Sequence, residues 1–294
     1  MSATIGATVA SEWIKAWAWR STRLAYLLLG GLTVAFSVFV ASATSTTSDG
    51  ALGADGGISY DGGISYDGAI GADAGGGDDD LMVNALAGIL PGVIIAAAIG
   101  AAAISNEYGS GMIAPTFAAT PRRHRVVLAK AGVVWLCTTV VGIVSAYASY
   151  FAARPVQRGN GYVGPGYPDP DLTDPTIIRA IVGTGIIIGL IALMAVGVGA
   201  VVKRTAIALP IVIASLVLPG MAVVDEGVAR LLHRWSPLAG FAIQHTVDRP
   251  ATAQPTTTSP LFYGVAPLAG LAVTAGYAAV AVLAGLAATR RRDI

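Results

Sequence analysis

Charge is what this sequence has least of. Only 12% of its 294 residues are Asp, Glu, Lys or Arg, while 54% are apolar and the mean hydropathy is +0.68. A soluble domain carries about 25% charged residues, so an ordinary water-soluble enzyme is excluded. A chain disordered throughout is excluded too, because disorder needs low hydrophobicity. Lysine occurs only as Lys15, Lys130 and Lys203, and the formal net charge is +1, which rules out a strongly basic nucleic-acid binder. One cysteine, Cys137, rules out a disulfide framework and a cysteine-built zinc site. There is no Gly-x-x-x-x-Gly-Lys-Ser/Thr, no His-Glu-x-x-His and no Gly-x-Ser-x-Gly. The chain therefore lacks the phosphate loop of an ATPase, the zinc-protease helix and the nucleophile elbow of a serine hydrolase. His124, His233 and His245 fall in separate loops, so no shared metal site is expected, and His233 reads as a surface residue.

What is there is long apolar runs. A helix rises about 1.5 Å per residue and the hydrocarbon core is about 30 Å thick, so about 20 uncharged residues mark one crossing. Six runs qualify: 24–44, 81–104, 131–153, 180–202, 205–224 and 265–289, none holding Asp, Glu, Lys, Arg or His. They are continuous rather than alternating, which favours helices over a β-barrel. They are rich in Gly and Ala, including Gly185-x-x-x-Gly189, a spacing that lets helix backbones approach in lipid. Pro91, Pro210 and Pro219 are candidate bends. Cys137 reads as a small buried side chain. Ala41-Ser42-Ala43 fits a leader-cleavage site, but the apolar run before it exceeds the usual 7–15 residues, so the first span is expected to be retained.

The basic residues sort by loop. Twelve of the eighteen Lys and Arg lie on the side of 11–23, 105–130, Lys203–Arg204 and the C-terminal Arg290–Arg292, with only three acids: Glu12, Glu107 and Asp293. That side sums to +9 and the other to −8. Basic flanks are held in the cytoplasm, so both termini are expected there.

Four segments lie between or before the spans. Residues 11–23 read as an amphipathic helix in the cytoplasmic interface: Ser11 caps it, Glu12 suits its positive end, Trp13 and Trp17 share a face, and Lys15, Arg20 and Arg23 reach lipid phosphates. Residues 45–80 are an external loop with eight Asp, no basic residue and the repeat Asp55-Gly-Gly-Ile-Ser-Tyr60, Asp61-Gly-Gly-Ile-Ser-Tyr66. The calcium spacings are absent, so an acidic solvated loop is expected. The cytoplasmic link 105–125 combines Glu107, an apolar cluster (Met112, Ile113, Phe117) and the basic Arg122, Arg123 and Arg125, which anchor span three against phospholipid. In the external loop 225–264, Val228, Leu231, Leu232 and Trp235 fall at i, i+3, i+4 and i+7, one face of a short helix dipping into the outer interface.

The link carries Ile104-Ser-x-Glu107-Tyr108-x-x-Gly111-Met112-Ile113, then Thr116-Phe117-Ala118-Ala119-x-Pro121-Arg122-Arg123-x-Arg125 and Ala129-Lys130. This resembles the permease subunits of type-2 ABC exporters, drug- and peptide-exporter-like. Ser11-Glu12-Trp13-x-Lys15 is similar to that family's entry elbow, and 278–293 to its last span and basic tail. Ala114-Pro115 departs from the usual basic or polar pair. The resemblance implies an all-α, polytopic fold of six transmembrane helices with an N-terminal interfacial amphipathic helix and a cytoplasmic coupling helix, in one permease domain, 1–294. It implies a dimer with a second copy or a related permease, a separate cytoplasmic ATPase holding ATP and Mg, and no cofactor in this chain. The coupling candidates by resemblance are Glu107, Tyr108, Gly111, Met112, Ile113 and Phe117. The loop between spans five and six supplies the outer gate, with Leu231, Leu232 and Trp235 as candidates. The alternative is a non-transporting sensor or assembly subunit acting through the acidic loop. A secondary transporter is disfavoured because the spans lack the charged group that ion coupling needs. Lipophilic or amphipathic cargo (a drug, lipid or peptide) suits so apolar a path.

Overall fold

The computed structural model describes residues 5–18, 20–44, 80–109, 123–162, 171–221, 226–246 and 265–291. The acidic repeat, Gly111, Met112, Ile113, Phe117, Arg122 and the Pro/Thr-rich stretch 250–260 lie outside them. In chain order the elements are α1 (Ile5–Ala18), α2 (Arg20–Ala43), α3 (Leu81–Ala85), α4 (Ile89–Gly109), α5 (Arg123–Gly159), α6 (Pro175–Val202), α7 (Thr205–Met221), α8 (Glu226–Arg234), a 3-10 helix (Pro237–Gln244) and α9 (Pro267–Arg291). No strand occurs among the described residues.

Five helices, α2, α4, α5, α6 and α9, are long and apolar enough to cross a membrane. The fifth expected crossing, 205–224, is described as helix over the 17 residues Thr205–Met221, with Pro210 and Pro219 inside it.

The second expected span does not begin as one helix. Asp80 caps the single turn of α3 by accepting from Met82 N at 3.1 Å, and the chain then turns through 86–88 before α4 starts. The break belongs to the contact with α2. Gly88 N donates to Ser37 Oγ at 3.0 Å, and a Cβ on Gly88 would strike the carbonyl of Thr33. Pro91 then sits in the first turn of α4, where its missing N–H costs no intrahelical bond.

The third span, expected over 131–153, is the middle of a 37-residue helix. At about 55 Å, α5 outruns the hydrocarbon core at both ends, carrying Lys130 at one and Arg154 and Arg158 at the other. The turn between α6 and α7 falls where the sequence places it. Lys203 adopts the left-handed conformation (φ 62°), and its N–H closes on Gly199 O at 2.7 Å, reversing the chain within two residues.

The N-terminal helix differs from expectation. It spans Ile5–Ala18 instead of 11–23, so Ser11 lies mid-helix rather than at its start. Glu12 answers to basic side chains rather than to a helix end.

α6 is the centre of the bundle, packed against α4, α5, α7, α9 and the 3-10 helix. Lipid supplies no hydrophobic drive between helices, so close packing must come from shape. The Gly185-x-x-x-Gly189 pair delivers it. A Cβ at Gly185 would stand 2.5 Å from Ile143 N, one at Gly189 would strike Thr139 Oγ1, and one at Gly142 would stand 2.9 Å from Gly185 Cα. Backbone therefore meets backbone along α5 and α6. Buried hydroxyls return to their own helices: Thr138 donates to Val134 O, and Thr184 to Ala180 O, both at 2.7 Å.

Gly185→Ala is expected to destabilise the purified chain by about 1–3 kcal/mol through overpacking. Gly276→Ala, with nothing within 4 Å of the new methyl, is expected to leave stability unchanged or raise it by up to about 1 kcal/mol. Thermal unfolding of both variants in the same detergent checks the contrast.

Candidate functional site

Polar side chains gather at the two ends of the bundle. One end collects the C-termini of α4 and α6 and the N-terminus of α5. There Lys130 Nζ stands 2.7 Å from Glu12 Oε2 and 2.8 Å from Glu107 Oε1, while Lys15 Nζ binds Glu12 Oε1 at 2.7 Å. The Glu12 and Lys130 side chains are 3% and 10% exposed. Three helices meet in one ion cluster: α1 through Glu12, α4 through Glu107, α5 through Lys130. Burial pushes the Glu12 carboxyl upward, but the Lys130 and Lys15 ammonium groups outweigh it and hold Glu12 below its ordinary value. Glu107 Oε2 is buried without a hydrogen-bond partner among the described residues.

One residue on, Tyr108 lies with the Lys203 ammonium 4.8 Å from its ring centre, and the same ring packs on Val126 of α5. The last turn of α4 is thus tied to α1, to α5 and to the α6–α7 turn.

The opposite end is closed by the 3-10 helix, all eight of whose residues are buried. It sits against α6 and α9 at positions too small to hold a side chain away. A Cβ on Gly270 would strike Ala239 O, and one on Gly183 would strike Ile243. Gln244 Nε2 donates to Leu86 O and to Thr184 Oγ1, both at 3.1 Å. Thr274 Oγ1 donates to Pro237 O at 2.9 Å, and Tyr277 OH to Trp235 O at 2.8 Å. Beyond it, Asp80 accepts from Thr246 N at 2.5 Å and Thr246 Oγ1 at 2.8 Å, with His245 Nδ1 at 3.7 Å. Arg179 donates to His245 O at 2.6 Å. Asn160 Nδ2 donates to Ala41 O and Thr44 O, each at 2.8 Å, and Gln157 Nε2 to Leu81 O at 3.1 Å. Burial pushes the Asp80 carboxyl upward, but the His245 imidazole beside it and the hydrogen bonds from Thr246 outweigh it and keep Asp80 below the usual carboxylate range.

The sequence-derived candidates divide accordingly. Glu107 and Tyr108 are brought together with buried partners. Gly111, Met112, Ile113, Phe117 and Arg122 fall outside the described residues, as does the Arg123 side chain, and Arg125 is half-buried on α5. Trp13 and Trp17 do share a face, with ring centres 6.0 Å apart, and Trp17 stacks on Tyr26 at 6.0 Å. Both tryptophans, Lys15 and Arg20 are exposed. Leu231 and Leu232 of α8 and Trp235 just beyond it are exposed, while His233, expected at the surface, is buried. The residues that fill this end of the bundle are 237–244, within the expected loop 225–264. Its signal was faint: Leu-Ala-Gly-Phe-Ala-Ile is apolar but too short to mark a span. The partners of Asp80 and Gln244 are far away in sequence and carry no local signature. Cys137 is buried, as expected. Among the described residues no three His, Cys, Asp or Glu side chains gather as metal ligands would.

The class these features define is a helical, multi-pass membrane bundle with a charged joint at one end and a buried polar plug at the other. No family model, curated protein or solved structure matches the chain.

The Asp80 clamp depends on pH with a definite sign. The folded-state pKa of Asp80 lies below its unfolded value, so its contribution is fully present above the unfolded value and is lost as pH falls through the folded one. At neutral pH, Asp80→Asn is expected to cost about 1–3 kcal/mol and to speed exchange at the Thr246 amide. The gap between Asp80→Asn and the native chain narrows as the buffer is acidified below the carboxylate range, read by hydrogen exchange at that amide.

Proposed function

We propose that the chain is the membrane permease of an ATP-driven exporter of the type-2 ABC kind, working with a separate cytoplasmic ATPase and a second permease copy or a related permease. The observation that carries this reading is the anchoring of Glu107 and Tyr108. These are the two described members of the coupling motif, and both are tied to structure: Glu107 to Lys130, Tyr108 to Lys203 and Val126. A force applied beyond Gly109 has rigid routes into α1, α5 and the α6–α7 hairpin. Glu107, Tyr108, Gly111, Met112, Ile113 and Phe117 act in contact and force transfer, not in bond chemistry.

Three further features support the reading. Six apolar runs free of Asp, Glu, Lys, Arg and His leave little for ion coupling to act on, so the energy is supplied at the cytoplasmic face. The buried 3-10 helix, residues 237–244, fits an outer gate next to the candidates Leu231, Leu232 and Trp235. The +9 and −8 charge asymmetry favours cytoplasmic termini in the cell membrane, with α7 as a sixth crossing. The cargo is lipophilic or amphipathic, moved out of the cytoplasm or the inner leaflet.

Affinity purification of the tagged chain from membranes is expected to bring down an ATPase whose hydrolysis is stimulated by lipophilic compounds. Deleting 106–120 is expected to release that ATPase, and Glu107→Gln or Phe117→Ala to abolish transport while the chain stays folded. A folded chain that brings down no ATPase overturns the reading. An ATPase held undiminished by the deleted chain overturns the coupling assignment.

A further inference from the structure

α1 is seated on the bundle in an unusual way. Its exposed surface is apolar and aromatic, with Trp13 44%, Ile14 68% and Trp17 41% exposed. The one buried side chain among those described in α1 is a charged one, Glu12. Among its described side chains, then, the buried anchor of this helix is polar, beside the half-exposed Trp17 stacked on Tyr26. Its polar anchor is a carboxylate on Lys130, helped by Lys15, which is half exposed. Lys130 is not dedicated to that task, because it holds Glu107 of α4 at the same time.

We infer that Lys130 is a shared-cation joint: one buried ammonium between two carboxylates that seats α1 on the bundle and ties that seat to the last turn of α4. The physical argument is charge balance. Glu12, Glu107 and Lys130 together sum to −1, and Lys15 brings the cluster to zero. Take Lys130 away and two largely buried carboxylates face each other with no cation between them. Removing one partner of a buried pair leaves an uncompensated buried charge, and here the weakest-held element is α1, which gives way first. The same sharing makes the joint a transmitter. Drawing Glu107 aside changes the position of Lys130 and hence the seat of Glu12, so α1 moves in the membrane surface when the end of α4 moves. Lys130 is thus a positioning residue. The joint is a property of the chain alone; only its use in transmission rests on the exporter reading.

Hydrogen exchange of the full-length chain in lipid nanodiscs, without any ATPase, tests the joint. Exchange in 5–18 reports the seat of α1, and exchange in α6 reports the fold. Lys130→Met is expected to raise α1 exchange about a hundredfold and leave α6 as it was, while Lys130→Arg stays near the native rate. Glu12→Gln is expected to loosen α1 in the same way without touching α5, and it decides the matter if Lys130→Met also disturbs α6. Charge reversal separates a shared cation from a simple pair. Glu12→Lys with Lys15→Glu and Lys130→Glu restores the contacts of residue 12 but sets the new carboxylate at 130 against Glu107, so α1 stays loose. Adding Glu107→Lys mirrors the whole cluster and is expected to bring α1 exchange back to within about threefold of native. Native α1 exchange in Glu12→Gln overturns the joint. Full rescue without Glu107→Lys, or no rescue with it, overturns the sharing.

Discussion

The structure depends on how closely other backbones can approach α6. In lipid a leucine surface gains nothing by turning from a hydrocarbon tail to another helix, so burial of apolar area does not order the bundle. Contact geometry does. Gly142, Gly185 and Gly189 bring α5 against α6 with no side chain between them, and Gly197 does the same against the Ala281 backbone of α9. With these helices held at that distance, the Thr138 and Thr184 hydroxyls close on carbonyls of their own helices. The 3-10 plug then fits because α6 and α9 present Gly183 and Gly270 beneath it.

Charge is expelled from this packed middle and reappears at both ends in paired form. At the end where α4 finishes, the pairing is ionic and joins three helices through Lys130. At the other, it is a network of hydrogen bonds in which Asp80, Gln244, Asn160 and Arg179 each satisfy backbone groups that a turn or helix end leaves open. The two designs differ in consequence. An ionic joint with one cation and two anions responds to displacement of any member. A clamp of hydrogen bonds on backbone groups holds one geometry.

The N-terminal helix shows how sequence logic and tertiary logic compete. By local rules Ser11 and Glu12 mark a helix start, since a serine caps and a glutamate favours the positive end of the dipole. The helix starts at Ile5 instead, and the glutamate is placed mid-helix to meet Lys130. The long-range ion pair outweighs the cap because the cap is worth about 1 kcal/mol and an unpaired buried charge costs more. In the same way the run 81–104 looks like one uninterrupted crossing, yet Ser37 and Thr33 of α2 break it at Gly88. His233 reads as polar surface and is buried.

What the sequence alone determined is the class: helices rather than strands, the apolar runs, the two-residue turn at Lys203–Arg204 and the tight Gly185-x-x-x-Gly189 face. Each follows from composition or from residues within a turn or two of each other. What only the tertiary structure decided is the pairing of Glu12 with Lys130, the docking of 237–244 as a buried plug and the clamp of Asp80 on Thr246. These involve partners distant along the chain. The information lies in which surfaces meet, and hydrophobic periodicity is silent about that.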